Sequence, residues 1–143
     1  MILLDTNVLS ALMLTRPAEE VVAWLDRQEG PAVWTTSVTV FEVRFGLARI
    51  GEVARRERLL GVFQAIVEDE LGGRVAPFDT LAAEAAASLA ATRQAEGRTV
   101  DFRDTQIAGI AMARNATIAT RNVRHFQDCG QPVIDPWRAD AED

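Results

Sequence analysis

The chain has 143 residues, of which 48% are hydrophobic and 25% charged, the composition of a soluble globular domain large enough for a real core. No apolar stretch approaches the roughly 20 residues that span a bilayer, and a single cysteine, Cys129, excludes an internal disulfide or a cysteine-based zinc cluster. The net charge of -6 argues against a generally basic, nucleic-acid-binding surface, yet all fifteen basic residues are arginine, whose planar fork of donors suits phosphate.

Ile2-Leu3-Leu4 reads as a short buried strand running into Asp5, Thr6 and Asn7. With Asp5 so early and no basic segment before it, the apolar start does not read as a signal peptide, and a reducing cytoplasm is the expected location. Asn7 to Leu14 predicts a short helix and Glu19 to Gln28 a second, ended by Gly30-Pro31. Val33 to Thr36 is a second strand, and Ser37 is a plausible N-cap for a helix over 38–50. Residues 52–71 read as one helix closed by Gly72-Gly73, with Glu68-Asp69-Glu70 solvated, as are Asp140, Glu142 and Asp143 in the tail. Arg74 to Pro77 is briefly extended. Residues 80–96 are an alanine-rich helix stopped by Gly97, and 102–115 a further helix. Thr117 to Thr120 is a strand, Asn122 to Phe126 a turn or short helix, and Pro132 to Ile134 a last strand before a turn at Asp135-Pro136-Trp137. Strands alternating with helices imply a parallel sheet covered on both faces, in one domain over 1–143.

Four residues carry candidate chemistry. Asp5 stands at the carboxyl end of a strand, where open α/β sheets bind ligands. Asp104 begins a stripe with Ile107, Ala108 and Ala111 that otherwise points into the core, so its carboxylate needs a partner or serves the helix N-terminus. Glu42 lies early in helix 38–50 between Phe41 and Val43, where spacing alone favours a solvated acid. Asn122 follows the strand ending at Thr120, as an N-cap or a ligand-facing amide. Asp101 reads first as a cap, with a supporting role to the site as the alternative. Carboxylates converging there would suit Mg²⁺ or Mn²⁺, hard cations that take oxygen ligands and share substrate phosphate oxygens.

Four segments together resemble the PIN-domain toxins of the VapC type and their FitB-like relatives: Ile2-Leu3-Leu4-Asp5-Thr6-Asn7-Val8-Leu9; Ser37-Val38-Thr39-Val40-Phe41-Glu42-Val43 with Gly46; Asp104-Thr105-Gln106-Ile107-Ala108; and Ala119-Thr120-Arg121-Asn122-Val123-Arg124-His125-Phe126. Each motif alone is weak; four in this order, over nearly the whole chain, are specific. The resemblance implies a PIN-like three-layer α/β sandwich, with a short central parallel sheet flanked by helices. It also implies a metal-dependent endoribonuclease in which Asp5, Glu42, Asp104 and Asn122 occupy the catalytic positions. Asp5, Asp104 and Glu42 would hold Mg²⁺, or Mn²⁺, and a water activated there would leave a 5′-phosphate and a 3′-hydroxyl. The fourth position is often aspartate; Asn122 keeps hydrogen-bonding capacity and loses the charge.

Thr6 and Thr120 are expected to orient carboxylates or to bond within turns, and Arg44, Arg103, Arg121 and Arg124 to contact RNA backbone or lie solvated. The only histidine, His125, reads as a turn or packing residue, so a two-histidine acid–base ribonuclease is disfavoured. Haloacid-dehalogenase phosphatases and receiver domains also place an aspartate after strand one. The former want a second aspartate where Asn7 stands, both generally use a lysine, and the chain has none. A catalytically weak or silent interaction module acting through its antitoxin complex is the alternative from another class. The implied partners are a VapB-like antitoxin, a second copy of the chain, RNA, and operator DNA through the antitoxin only, with no membrane. Leu9, Leu12, Met13 and Val21 either help form the antitoxin groove or pack the core, and Trp24, Trp34 and Trp137 read as core or interface.

Overall fold

A computed structural model of the protein describes residues 1–139, so the tail acids Asp140, Glu142 and Asp143 lie outside the described residues. Five short parallel strands form one sheet in the order β3-β2-β1-β4-β5, with β1 Ile2–Leu4, β2 Val33–Thr36, β3 Val75–Ala76, β4 Thr117–Ala119 and β5 Val133–Ile134. Leu3 pairs with Trp34 on one side and Ile118 on the other. From β1 the chain winds outward through β2 and β3, then returns to the other side of β1 for β4 and β5. The carboxyl ends of β1 and β4 therefore flank the topological switch point, where such sheets bind their ligands.

Alternation along the strands supplies two cores, because successive side chains point to opposite faces. Leu3 and Ile118 face one layer, built on α5 Thr80–Ala95 and α6 Phe102–Arg114. Leu4 and Ala119 face the other, which packs α1 Thr6–Leu12, α2 Glu19–Asp26, α3 Ser37–Ala48 and α4 Val53–Ala65. Helices on both faces make the three-layer α/β sandwich the sequence implies.

The differences from expectation are local. The cap of α3 is Thr36 rather than Ser37: Thr36 Oγ1 accepts from Thr39 N at 3.0 Å, while the Ser37 hydroxyl accepts from Phe78 N at 2.9 Å, tying the end of β3 to the start of α3. The single helix expected over 52–71 ends at Ala65 and widens into a π turn over Ile66–Glu70. Three successive acids sit there at a helix carboxyl end, where the backbone dipole disfavours negative charge, and Leu71 N bonds Ile66 O at 3.0 Å to bury Leu71. Asn115 closes α6 in the left-handed conformation at φ 52°. Leu9 and Val21 are fully buried and Leu12 and Met13 pack partly buried against the same core, so packing accounts for the early-helix apolar residues. Trp24 is buried, and Trp34 and Trp137 pack at the edges of the cores. No helix among the described residues is long and apolar enough to cross a membrane.

Candidate active site

Asp5 is both the residue after β1 and the N-cap of α1, and only 4% of it is exposed. Its Oδ1 accepts from Thr6 N at 2.8 Å; its Oδ2 accepts from the Thr120 hydroxyl at 2.8 Å and from Asn7 Nδ2 at 3.3 Å. The Thr120 hydroxyl also accepts from Asn7 Nδ2 at 3.2 Å and Asn122 N at 3.0 Å. A hydroxyl has one proton and two lone pairs; with both lone pairs engaged, its proton is committed to Asp5. Asn7 Oδ1 accepts from Arg121 N at 3.1 Å, which fixes the amide's orientation. A closed set of neutral donors thus stitches the two strand ends across the switch point and sets one carboxylate there.

Two further carboxylates meet it from either layer. Glu42, in the second turn of α3, has a side chain only 18% exposed and Arg103 Nη1 3.6 Å from its Oε2, so it is not the solvated acid that spacing favours. The buried Thr6 hydroxyl is near enough to favour the ionised form of Glu42, yet it reaches hydrogen-bond geometry with nothing among the described residues. Asp104 enters from the first turn of α6, where Asp101 is the cap: Asp104 N donates to Asp101 Oδ1 at 3.0 Å. Asp104 Oδ2 lies 2.6 Å from His125 Nδ1.

All three acids are weaker than ordinary carboxylic acids, first because burial penalises the charge, with repulsion from neighbouring acids adding to it. For Asp5, burial outweighs the bonds from Thr120 and Thr6, and Asp104 adds repulsion. For Glu42, burial leads and Asp5 follows, against Thr6 and Arg103. For Asp104, burial leads, offset by His125 and reinforced by Asp101.

His125 lies in the turn over Val123–His125, as one sequence reading expects, but it is an exposed partner of Asp104, while its neighbour Phe126 is the buried packing residue. Asn122 is exposed and takes the N-cap position of the turn over Val123–His125 without a side-chain cap bond; its backbone N–H donates to the Thr120 hydroxyl that bonds Asp5. The sequence also concealed Arg93. Although 4% exposed, it forks onto Asp128 at 2.8 and 2.6 Å, donates to Thr105 Oγ1 at 3.0 Å, and donates to His125 O at 2.7 Å. It therefore ties α5, the start of α6 and the turn after β4 together behind Asp104 and His125. Only its place in an otherwise alanine-rich, core-facing stretch hints at this role.

The chemistry of the donors suits a hard divalent cation: all are oxygens, the acids raise one another's proton affinity, and the orphaned Thr6 hydroxyl sits among them. As they stand, no three His, Cys, Asp or Glu side chains among the described residues converge closely enough to form a metal cage. Asp104 is turned to His125 and Glu42 to Arg103.

A five-stranded parallel sheet with helices on both faces and acids near its switch point is the architecture of the PIN fold. The sequence profile of the PIN domain matches residues 2–130. The chain is 37% identical over 137 residues to "VapC ribonuclease Y4jK" of Sinorhizobium fredii, covering 96% of this chain and 98% of that one. It is 33% identical over 137 residues to "Toxin FitB" of Neisseria gonorrhoeae, covering 96% and 99%. It also superposes on the structure of FitAB bound to an IR36 DNA fragment with a TM-score of 0.85 at 33% identity, covering 96% of each chain. The chain belongs to the PIN-domain family, among its VapC- and FitB-like members.

Proposed function

We propose that this chain is the toxin of a toxin–antitoxin pair, an endoribonuclease that hydrolyses RNA phosphodiester bonds with Mg²⁺ or Mn²⁺ at Asp5, Asp104 and Glu42. The observation that supports the proposal is that three partly or fully buried carboxylates from three elements lie within electrostatic reach of one another near the switch point, each made less acidic first by burial. A bound divalent ion would supply charge neutralisation on the phosphoryl group and a more acidic water. The chain's own residues hold the frame. Thr120, Thr6 and Asn7 lock the Asp5 rotamer, and His125 orients Asp104. The neutral amide of Asn122 offers hydrogen bonds without charge. A site loosely assembled in the free protein fits Mg²⁺, which typically keeps several waters and completes its shell with substrate phosphates.

Residues 1–143 are taken as a single PIN-like domain working in the cytoplasm, paired with a VapB-like antitoxin and a second copy of itself. Operator DNA would be reached through the antitoxin, in keeping with the DNA-bound FitAB relative.

The test is RNA cleavage by purified protein in Mg²⁺ or Mn²⁺, wild type beside Asp104→Asn, with 5′ ends sequenced. Cleavage that persists in excess chelator, or that is unchanged by Asp104→Asn, overturns the metal-site reading. The loss of one acid at the fourth position, where Asn122 stands, favours a second reading, a silent interaction module. It predicts intact RNA under every metal condition while the antitoxin still binds.

A further inference from the structure

His125 and Arg124 are walls shared by two cavities. One, of about 280 Å³, includes Asp104. The other, of about 350 Å³, lies between the turn after β4 and the C-terminal turn; Arg121, Asn122, Asp135, Trp137 and Arg138 also line it, beside Val123. That volume is within the range of small-ligand sites, about 300–1,000 Å³. In a chain of net charge -6, three arginines here face one aspartate. Asp135 is engaged in its own turn, with Oδ1 accepting from Trp137 N at 2.9 Å and Oδ2 3.9 Å from Arg138 Nε. The Arg121 guanidinium lies 4.6 Å from the centre of the Trp137 ring, a planar cation set on an aromatic face. The exposed amide of Asn122 adds a donor and an acceptor beside them. Asp135, Trp137 and Arg138 fall beyond residue 130, where the match to the PIN domain ends, so one wall of this cavity belongs to the chain's own C-terminal segment.

We propose that this cavity is a nucleotide subsite for single-stranded RNA: it takes the nucleotide flanking the scissile phosphate, stacks the base on the Arg121–Trp137 pair, and holds adjacent phosphates with Arg124 and Arg138. The inference rests on the ribonuclease reading and adds to it the determinant of sequence preference at one position. A stacked guanidinium–indole pair with an exposed amide is the equipment by which proteins hold unpaired bases. An acidic protein segment would use the arginines and leave the rest idle.

The test uses the full chain in two arms. In the first, EDTA prevents metal-supported cleavage and anisotropy follows a fluorescein-labelled single-stranded RNA of mixed sequence. Arg121→Ala is expected to weaken binding about tenfold, the loss typical of one stacking partner, and Trp137→Phe to keep most of it. Arg138→Ala, at a side chain 81% exposed, is expected to lower the salt dependence by about 0.7 in the log–log slope, one phosphate contact. In the second arm, a randomised RNA pool is cut in Mg²⁺ and sequenced. Arg121→Ala should flatten the nucleotide preference at one position beside the cut, with melting temperature unchanged. If wild type binds and cuts RNA while these variants match it in affinity, salt slope and preference, the subsite is wrong and the ribonuclease reading stands. If wild type neither binds nor cuts RNA, both fall. If the variants lose only their grip on the antitoxin, the cavity is a protein contact and the subsite is overturned.

Discussion

The two layers that sandwich the sheet deliver their carboxylates in different ways. The α5–α6 side brings small residues, Gly109, Ala82 and Ala86, into the contact between its two helices, beside larger ones such as Leu89, Ile107 and Ile110, so the helices lie against each other at close range. The α1–α4 side is filled by Leu4, Leu9, Trp24, Phe63, Ile66 and Leu71. Its outer surface carries Phe41, 62% exposed, stacked on Phe45 with ring centres 6.0 Å apart. Small-residue packing has little slack, since neighbouring backbones cannot rotate away as side chains do. Asp104 thus enters the site from a helix held within narrow limits. Glu42 enters from α3, which packs through Val38, Thr39, Val43 and Leu47, and its ion-pair partner among the described residues is Arg103 at 3.6 Å. On the proposed ribonuclease reading, the close α5–α6 contact would fix Asp104 beside Asp5, while Glu42 stands on a helix without such a contact.

The sharpest way to break the comparison is at the glycines. A Cβ on Gly109 would stand 2.5 Å from Ala82 O and 2.7 Å from Ala86 Cβ, whereas one on Gly61 of α4 meets nothing within 4 Å. Gly109→Val is expected to cost about 3 kcal/mol or more through overpacking. Gly61→Ala should gain up to about 1 kcal/mol, the helix-propensity difference alone. Urea denaturation of the two variants checks both; equal effects would mean that the layers do not differ in tightness.

Next in size is the buried arginine that only the small-residue layer contains. Arg93→Met removes the fork on Asp128 and the bonds to Thr105 and His125, an expected loss of about 2–3 kcal/mol. Arg98, 2.7 Å from Asp128, keeps that carboxylate from being stranded. The Arg93 fork, ahead of Arg98, lowers the pKa of Asp128 from the ordinary 3.8 to about 2. A depressed carboxylate contributes stability that is complete above its unfolded value and lost as the pH falls through its folded one. Wild type should therefore lose stability relative to Asp128→Asn between about pH 4 and pH 2, followed by thermal melts across that window. A constant difference across the window would place the contribution of Asp128 elsewhere than in its charge.

These residues also mark the limits of what the sequence discloses. The strand over 33–36 and the helices over 80–96 and 102–115 are legible to within a residue or two, because apolar runs, an alanine-rich stretch and glycine stops agree there. The end of α4 is not, since the choice between α and π turns rests on where Leu71 finds the core. Asp5 and Asp104 stand out because each interrupts an apolar pattern. Glu42 does not, because a glutamate early in a helix is ordinarily solvated; only the family motif singled it out. His125 carries no local signal, and Arg93 only the faint one of an arginine in an alanine-rich, core-facing stretch. Arg93 is far in sequence from Asp128 and His125, and its importance exists only once α5 is laid against the turn after β4.

The smallest expected effect distinguishes the site's own carboxylates. Asp5 is buried, beside other acids, and with a raised proton affinity that burial causes first. Such a group favours folding below its ordinary range and withdraws that support as the pH rises through the folded value, so at neutral pH its charge strains the fold. Asp5→Asn removes the charge and leaves an amide oxygen for the Thr6 N–H or the Thr120 hydroxyl. The expected result is a gain on the order of 0.5 to 1 kcal/mol, as for other active-site neutralisations, together with loss of the proposed cleavage. Asp104→Asn should gain less, because His125 at 2.6 Å and the N-terminus of α6 already compensate its charge. Melting temperatures with EDTA and with added Mg²⁺ or Mn²⁺ separate charge relief from ion binding: an ion held by the acids raises the wild-type value by mass action and leaves Asp5→Asn unmoved. If Asp5→Asn melts below wild type in EDTA, the three-donor frame around Asp5 serves the fold rather than the site. The contrast between an Asp104 fixed beside Asp5 and a Glu42 on a helix without such a contact would then have to be drawn differently.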